Sequence, residues 1–394
     1  MLHFPRPAHT TTRQEIVERV RLMAPRFAER AEAAEQARKI PADSVQEMLA
    51  AGLARILLPT RFGGYGLDFD TWFDTVLEIS RFDASHGWCA SLIVHHAHMI
   101  GLFPEEAQRA VWAGGPDVAI AASFMPTTKV TVVNGGYRVS GQHSSFASGV
   151  DHSSWVMVGG LVHNAPIPEW MLFLIQPGEY TVRDTWSMTG MRATGSNTIV
   201  TDDVFVPSSR ALRLSDLRDG AGPGGQLHDD AIFHTPFYYF APLTFVAPML
   251  GAAKGAYDHI QEWTRTRKAT DGTSVAAKTS TQVRLARAAA DLDAAELLLR
   301  RAAQVPYGSE RHTPKLLARS IRDFSRASEL VIAAIDSIIG MCGTAGFATS
   351  HPVQRAWRDI HLASMHISLN TETNYSHYGR MELGLERDPN QPFF

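Results

Sequence analysis

Through about the first hundred residues the apolar positions recur at helical spacing. The pattern predicts a helical stretch from Thr12 to Ala37, rich in Ala, Glu and Arg, then a segment through Leu49 capped by Asp43-Ser44 and stopped at Gly52. Pro59 and the cluster Gly63-Gly64-Tyr65-Gly66 interrupt it, and helical spacing resumes over Phe69 to Ile79 and Ser85 to Ile100. From about Asp117 the texture becomes short, mostly β-branched runs: Val118 to Ala122, Lys129 to Val133, Trp155 to Val158 and Thr198 to Val200. Turns such as Asn134-Gly135-Gly136 separate them, as in an antiparallel barrel or sandwich. Gly220-Ala221-Gly222-Pro223-Gly224-Gly225 reads as a flexible connector. After Pro236 four long helical stretches are predicted, near Phe245 to Arg265, Val275 to Gln304, Pro314 to Cys342 and Pro352 to Met381.

These textures divide the chain into an N-terminal helical domain (1–116), a middle β domain (117–235) and a C-terminal helical bundle (236–394). The arrangement is α+β rather than alternating β/α. Composition then removes function classes. Thirty-seven Lys and Arg face forty Asp and Glu, a net charge of -3 without like-charge blocks, which argues against nucleic acid as a partner. Cys89 and Cys342 make neither a disulfide framework nor a paired zinc spacing, so a reducing cytoplasm is expected. Met1 to Arg6 lacks an apolar signal core and no long uninterrupted apolar run follows, so no membrane span is expected.

Three features carry candidate chemistry. Gly340, Gly343 and Gly346 precede a helix start at Ser350-His351-Pro352, which reads either as a helix stop and turn or as backbone near a phosphate. His95, His96 and His98 fall on one helix, where consecutive residues diverge by about 100°, so hydrogen-bonded core or pocket histidines are expected rather than a metal site. On the last predicted helix Asp359, His366, Asn370, Thr373 and His377 share one face. That stripe is either solvated or, given the apolar neighbours Trp357, Ile360, Met365 and Leu369, the wall of a buried polar cavity.

With Gly63-Gly64-Tyr65-Gly66, Thr189 to Ser196 ahead of Val204-Phe205-Val206-Pro207, and Arg355-Ala356-Trp357-Arg358-Asp359, the chain resembles the acyl-CoA dehydrogenase superfamily over nearly its whole length. That resemblance implies a helical domain, a β-barrel-like domain and a four-helix bundle, with a flavin between the last two and a tetrameric assembly. The Glu base common to the dehydrogenases has no counterpart in Asp359 to Ser368. A closer likeness is to the flavin-dependent monooxygenases of this fold, carried by Gly87-Trp88-Cys89-Ala90-Ser91, Leu102 to Ala107, Val139-Ser140-Gly141 leading to Phe146-Ala147-Ser148-Gly149, and Trp357 to His361.

The monooxygenase likeness implies hydroxylation of a phenol or indole with O2 and reduced FAD or FMN supplied by a separate flavin reductase. His96 and Ser123 correspond to phenol contacts, and Ser148 and His366 to residues beside the reactive flavin carbon. Thr189, Arg192 and Ser196 are the β-domain flavin candidates. Arg265 or Arg267, reaching a flavin phosphate across a subunit boundary, and Gln282, Gly343 and Gly346 are the helical ones. In such enzymes a flavin C4a-hydroperoxide transfers its distal oxygen, which requires a dry, hydrogen-bonded pocket. Gln142-His143-Ser144-Ser145 is one residue longer than usual, and Ala147 replaces a frequent serine. Two other readings stand beside this one: an acyl-CoA dehydrogenase with a displaced base, and a catalytically silent flavin-fold scaffold.

Overall fold

The computed structural model describes residues 11–304, 312–386 and 388; the opening Met1 to Arg6 lies outside them. The first helical stretch is two helices, α1 (Arg13–Met23) and α2 (Pro25–Ala37), because Pro25 has no N–H to continue α1 and starts α2 in its first turn. Thr12 closes a capping box with Glu15 on α1. α3 (Ala42–Ala50) is capped by Pro41, so Asp43 and Ser44 lie in its first turn instead of capping it. α4 (Phe69–Ser80) and α5 (Ala84–Ile100) begin at Asp68 and Asp83, whose carboxylates accept the main-chain N–H groups of Thr71 and His86. A short α6 (Glu105–Val111) was not anticipated from the pattern. Every residue of α5 is buried, which makes it the central helix of the molecule.

One seven-stranded sheet follows: β1 (Ile120–Val133), β2 (Gly136–Ala147), β3 (Trp155–Val162), β4 (Glu169–Ile175), β5 (Thr181–Arg183), β6 (Asn197–Pro207) and β7 (Ala211–Arg213). Its order is β5-β6-β2-β1-β3-β4-β7. The expected all-antiparallel pattern fails at the centre, where β1 and β3 run parallel. The two predicted segments from Val118 and Lys129 are the ends of the single strand β1, whose pairing with β3 shifts between Ser123 and Thr128. Gly159 is required there, since a Cβ would sit 2.0 Å from the Phe124 carbonyl oxygen. Alternation assigns the faces: Ile120, Met157, Leu172 and Leu174 join the core shared with the helices, while Ala121, Val156, Val158, Phe173 and Ile175 form a second core on the other side.

The glycine-rich connector after α7 (Leu214–Arg218) is packed rather than loose: Gly224 N–H bonds the Leu102 carbonyl, and Gly222 lies against Leu102. The bundle comprises α8 (Leu243–Thr266), α9 (Thr279–Ala303), α10 (Pro314–Cys342), α11 (Pro352–Ala363) and α12 (Thr371–Glu382). The last predicted helix is therefore broken, and the polar stripe does not lie on one helix face. His366 caps a short turn over Ile367–Leu369 and Asn370 caps α12, two side chains that bond nearby N–H groups in place of a continued helix. No helix among the described residues is long and apolar enough to cross a membrane.

Candidate active site

α5 presents Trp88 to the junction of the sheet and the bundle. Its indole Nε1–H donates to Ser148 Oγ at 3.0 Å, just beyond β2. Ser148 Oγ lies 2.7 Å from Ser196 Oγ, which lies 2.6 Å from Thr194 Oγ1, and Thr194 Oγ1 donates to the Met191 carbonyl at 2.9 Å. A hydroxyl has one hydrogen, so this geometry fixes a direction. Thr194 spends its hydrogen on Met191, Ser196 spends its own on Thr194, and Ser148 spends its own on Ser196. Ser148 is left with acceptor capacity only.

The bundle supplies the opposite wall. Phe245 of α8 stacks on His366 with ring centroids 3.6 Å apart and packs on Trp88 at 5.1 Å; Trp88 meets His366 edge-on at 6.3 Å. His366 Nδ1 accepts the Ser368 main-chain N–H at 3.3 Å and lies 2.8 Å from Ser368 Oγ, so the hydrogen of the neutral ring sits on Nε2. Although His366 retains some solvent contact, desolvation by these rings lowers its pKa to about 4. Phe146, exposed and at a positive φ of 65°, stands edge-on to Trp186 beside the hydroxyl chain. β2 and β6 shift register between Gly141, Ser144 and Ala147, the stretch with the extra residue.

His96 Nδ1 donates to the Ile120 carbonyl at 2.6 Å, and burial lowers its pKa to about 4, so Nε2 of the neutral ring is an acceptor. Ser123, three residues further along β1, donates to the Ser145 carbonyl at 2.8 Å. His95 turns to α8, where Nδ1 lies 2.8 Å from Thr244 Oγ1, and its buried Nε2 has no partner among the described residues. Pro248, inside α8, removes the N–H that the Thr244 carbonyl would otherwise receive.

The segment from Thr189 to Ser196 docks on α11. Arg358 bonds the Thr189 carbonyl, Asp359 accepts the Met191 N–H, and a Cβ on Gly190 would lie 2.2 Å from the Arg358 carbonyl oxygen. Met191 has a positive φ of 47°. Arg192 bonds the Met188 carbonyl and approaches Glu35 at 3.9 Å. Asp359 is buried, and desolvation together with nearby Asp83 raises its pKa to about 7.

Not every expected site residue joins this group. Arg265 pairs with Glu262 on an exposed face, and Gln282 bonds the Ala276 carbonyl. Arg267 stacks over Trp263 at 4.0 Å and bonds the Cys342 carbonyl, next to Gly343, while Gly346 packs on Cys342. These form a separate region where α8, α9 and α10 meet. Sequence reasoning did not assign Trp88, Thr194 or Phe245 to the site; Trp88 and Thr194 had a signal, as parts of the motifs Gly87 to Ser91 and Thr189 to Ser196, and Phe245 had none.

An apolar and aromatic wall facing a line of hydroxyls fits a flat, amphipathic ring such as a flavin. Residues 10–115 and 243–371 match the family models for the acyl-CoA dehydrogenase N-terminal and C-terminal domains. The chain is 34% identical to the flavin-dependent monooxygenase oxygenase subunit HsaA of Rhodococcus jostii (strain RHA1), over 94% of this chain and 98% of that one. The chain belongs to the flavin-dependent monooxygenases of the acyl-CoA dehydrogenase superfamily. This oxygenase component is also 34% identical to the FADH(2)-dependent resorcinol hydroxylase, oxygenase component, of Rhizobium sp. (strain MTP-10005), over 98% of both chains. The structure of XiaF from Streptomyces sp., solved with FADH2 and glycerol, matches the oxygenase with a TM-score of 0.88 at 28% identity, covering 96% of this chain and 97% of XiaF. Of the three readings that the sequence left open, the oxygenase one holds, and the protein is an oxidoreductase.

Proposed function

We propose that this oxygenase inserts one atom of O2 into an electron-rich aromatic of phenol or indole type, using reduced FAD or FMN delivered by a separate reductase. A homotetramer working in the cytoplasm is part of the same reading. The observation that carries it is the hydrogen-bond polarity of three side chains, His96, Ser148 and His366. His96 Nε2 accepts and so suits a phenol O–H or an indole N–H, Ser148 accepts, and His366 Nε2–H donates. Ser123 ties β1 to β2 through the Ser145 carbonyl and would line the substrate end.

The bound reduced flavin would supply the electrons and activate the oxygen. Ser148 would meet the edge of its ring with Ser196 bonded behind it, and Thr189 and Arg192 belong to the same docked segment. Arg265, Arg267, Gln282, Gly343 and Gly346 would meet its phosphate end, which lies apart from the ring site and suits a cofactor shared between subunits. Phe245, Trp88 and His366 exclude water from the reacting edge, where stray solvent would divert oxygen to peroxide. The net change balances: the aromatic, O2 and two-electron-reduced flavin give the hydroxylated aromatic, water and oxidised flavin.

The test mixes anaerobic protein, reduced flavin and a panel of phenols and indoles with 18O-labelled O2. One labelled oxygen in the product is the expected result. Consumption of reduced flavin without labelled product across the panel overturns the substrate class. NADH offered to the protein without a reductase should not be oxidised.

A further inference from the structure

We infer that the Thr194–Ser196 hydroxyl pair selects the redox state of the flavin, by fixing Ser148 as a hydrogen-bond acceptor. The inference rests on the reading above that the flavin ring edge meets Ser148, and goes beyond it by assigning a specificity role to two residues behind that serine. Thr194 and Ser196 are buried, and the Met191 carbonyl at the inner end of the chain can only accept. At 2.6 and 2.7 Å, each neighbouring pair of oxygens must share a hydrogen, since two facing lone pairs at that distance repel. One hydrogen per hydroxyl leaves a single consistent arrangement, running from Ser148 inward to Met191. The Trp88 indole, a donor only, reinforces it from the other side of Ser148.

The two redox states of an isoalloxazine differ at the matching position. Reduced flavin carries a hydrogen on its central-ring nitrogen N5, whereas in oxidised flavin that nitrogen has only a lone pair. An acceptor-only Ser148 therefore bonds the reduced ring and opposes the oxidised one. Trp88 is not the selector, because removing it leaves the inward direction set by Met191. Thr194 and Ser196 are, because removing either releases a hydrogen that lets Ser148 donate outward.

The experiment measures equilibrium dissociation constants of oxidised flavin and, anaerobically, of reduced flavin, for the full-length protein and for Thr194→Val, which keeps the shape of the side chain. Wild type should bind reduced flavin more tightly. Thr194→Val should lower the ratio of oxidised to reduced dissociation constants by about tenfold, the size of one hydrogen-bond exchange, equal to about a 30 mV fall in the two-electron potential of the bound flavin. Ser196→Ala should act in the same direction, and serves if the Val variant does not fold. In a Ser148→Ala background Thr194→Val should leave the ratio unchanged.

An unchanged ratio in both Thr194→Val and Ser196→Ala, with flavin still bound, overturns the selector alone. So does an equal shift with and without Ser148, which would show that Thr194 acts by another route. Wild-type protein that binds neither redox state overturns the selector together with the flavin site beneath it.

Discussion

The buried carboxylate of Asp359, on α11, accepts the main-chain N–H of Met191, the residue whose carbonyl ends the hydroxyl chain from Ser148. The bundle thus holds the inner end of a chain whose outer end, Ser148, accepts from Trp88 of α5. Arg358 bonds the Thr189 carbonyl on the other side of Gly190, so two adjacent α11 side chains grip this segment. Such a grip keeps Met191 in its left-handed conformation, which a non-glycine residue adopts only at some cost.

Asp359 makes stability depend on pH in an unusual direction for a carboxylate. Burial and Asp83 raise its folded pKa to about 7 from the ordinary aspartate value of 3.8. The folded state therefore holds the proton more tightly, and the resulting stability is complete below about pH 4 and lost as pH rises through about 7. Asp359→Asn keeps an acceptor for Met191 and does not titrate. The melting temperature of wild type relative to this variant should fall steadily between pH 4 and 7. A constant difference across that range would show that Asp359 is ionised throughout.

His366 is predicted to act as a neutral hydrogen-bond donor. With its pKa lowered to about 4, the ring stays uncharged above about pH 5. His366→Ala should leave flavin affinity within about threefold while lowering product formed per reduced flavin about tenfold, with peroxide rising to match, because the loss falls on the chemical step. Between pH 5.5 and 8 the wild-type yield should show no inflection from this group. An unchanged yield in the Ala variant would assign His366 to packing on Phe245.

Gly190 tests the docking of the segment on α11. A Cβ there would meet the Arg358 carbonyl oxygen at 2.2 Å, a backbone atom that cannot rotate away. Gly190→Ala should destabilise the protein by about 1–3 kcal/mol in urea denaturation. Gly379, on α12 with open space around its Cβ position, is the control, and its Ala variant should be neutral or more stable. Equal effects at the two positions would refute the close contact.

Assembly is predicted from the bundle surface. Phe347, between α10 and α11, and Met365 and Ile367, between α11 and α12, are large apolar side chains at 58%, 74% and 55% exposure. Side chains of this size and exposure are the candidates for the contact that a tetramer requires. Light scattering should find a particle near four chains, and a Met365→Asp, Ile367→Asp variant should dissociate it. A fully active monomer would rule out a flavin site completed by a neighbouring subunit.

Local pattern alone determined much of the scaffold. The Pro314–Cys342 helix was legible end to end because Thr313 caps it, Pro314 fits its first turn and its apolar residues keep one face. The β texture of the middle domain and the residues of the family motifs were legible for the same reason, since each depends on a few neighbouring positions. His366 was found through the family motif, although the continuous helix drawn around it is broken by side-chain caps that spacing does not report. The tertiary structure decided everything that depends on separate segments meeting. Trp88, Ser148, Thr194 and Ser196 belong to α5, the end of β2 and the segment before β6, and no sequence period relates them. The acceptor character of Ser148 is less local still. A serine can donate or accept, and which it does here follows from the carbonyl of Met191, a residue whose N–H Asp359 of α11 accepts.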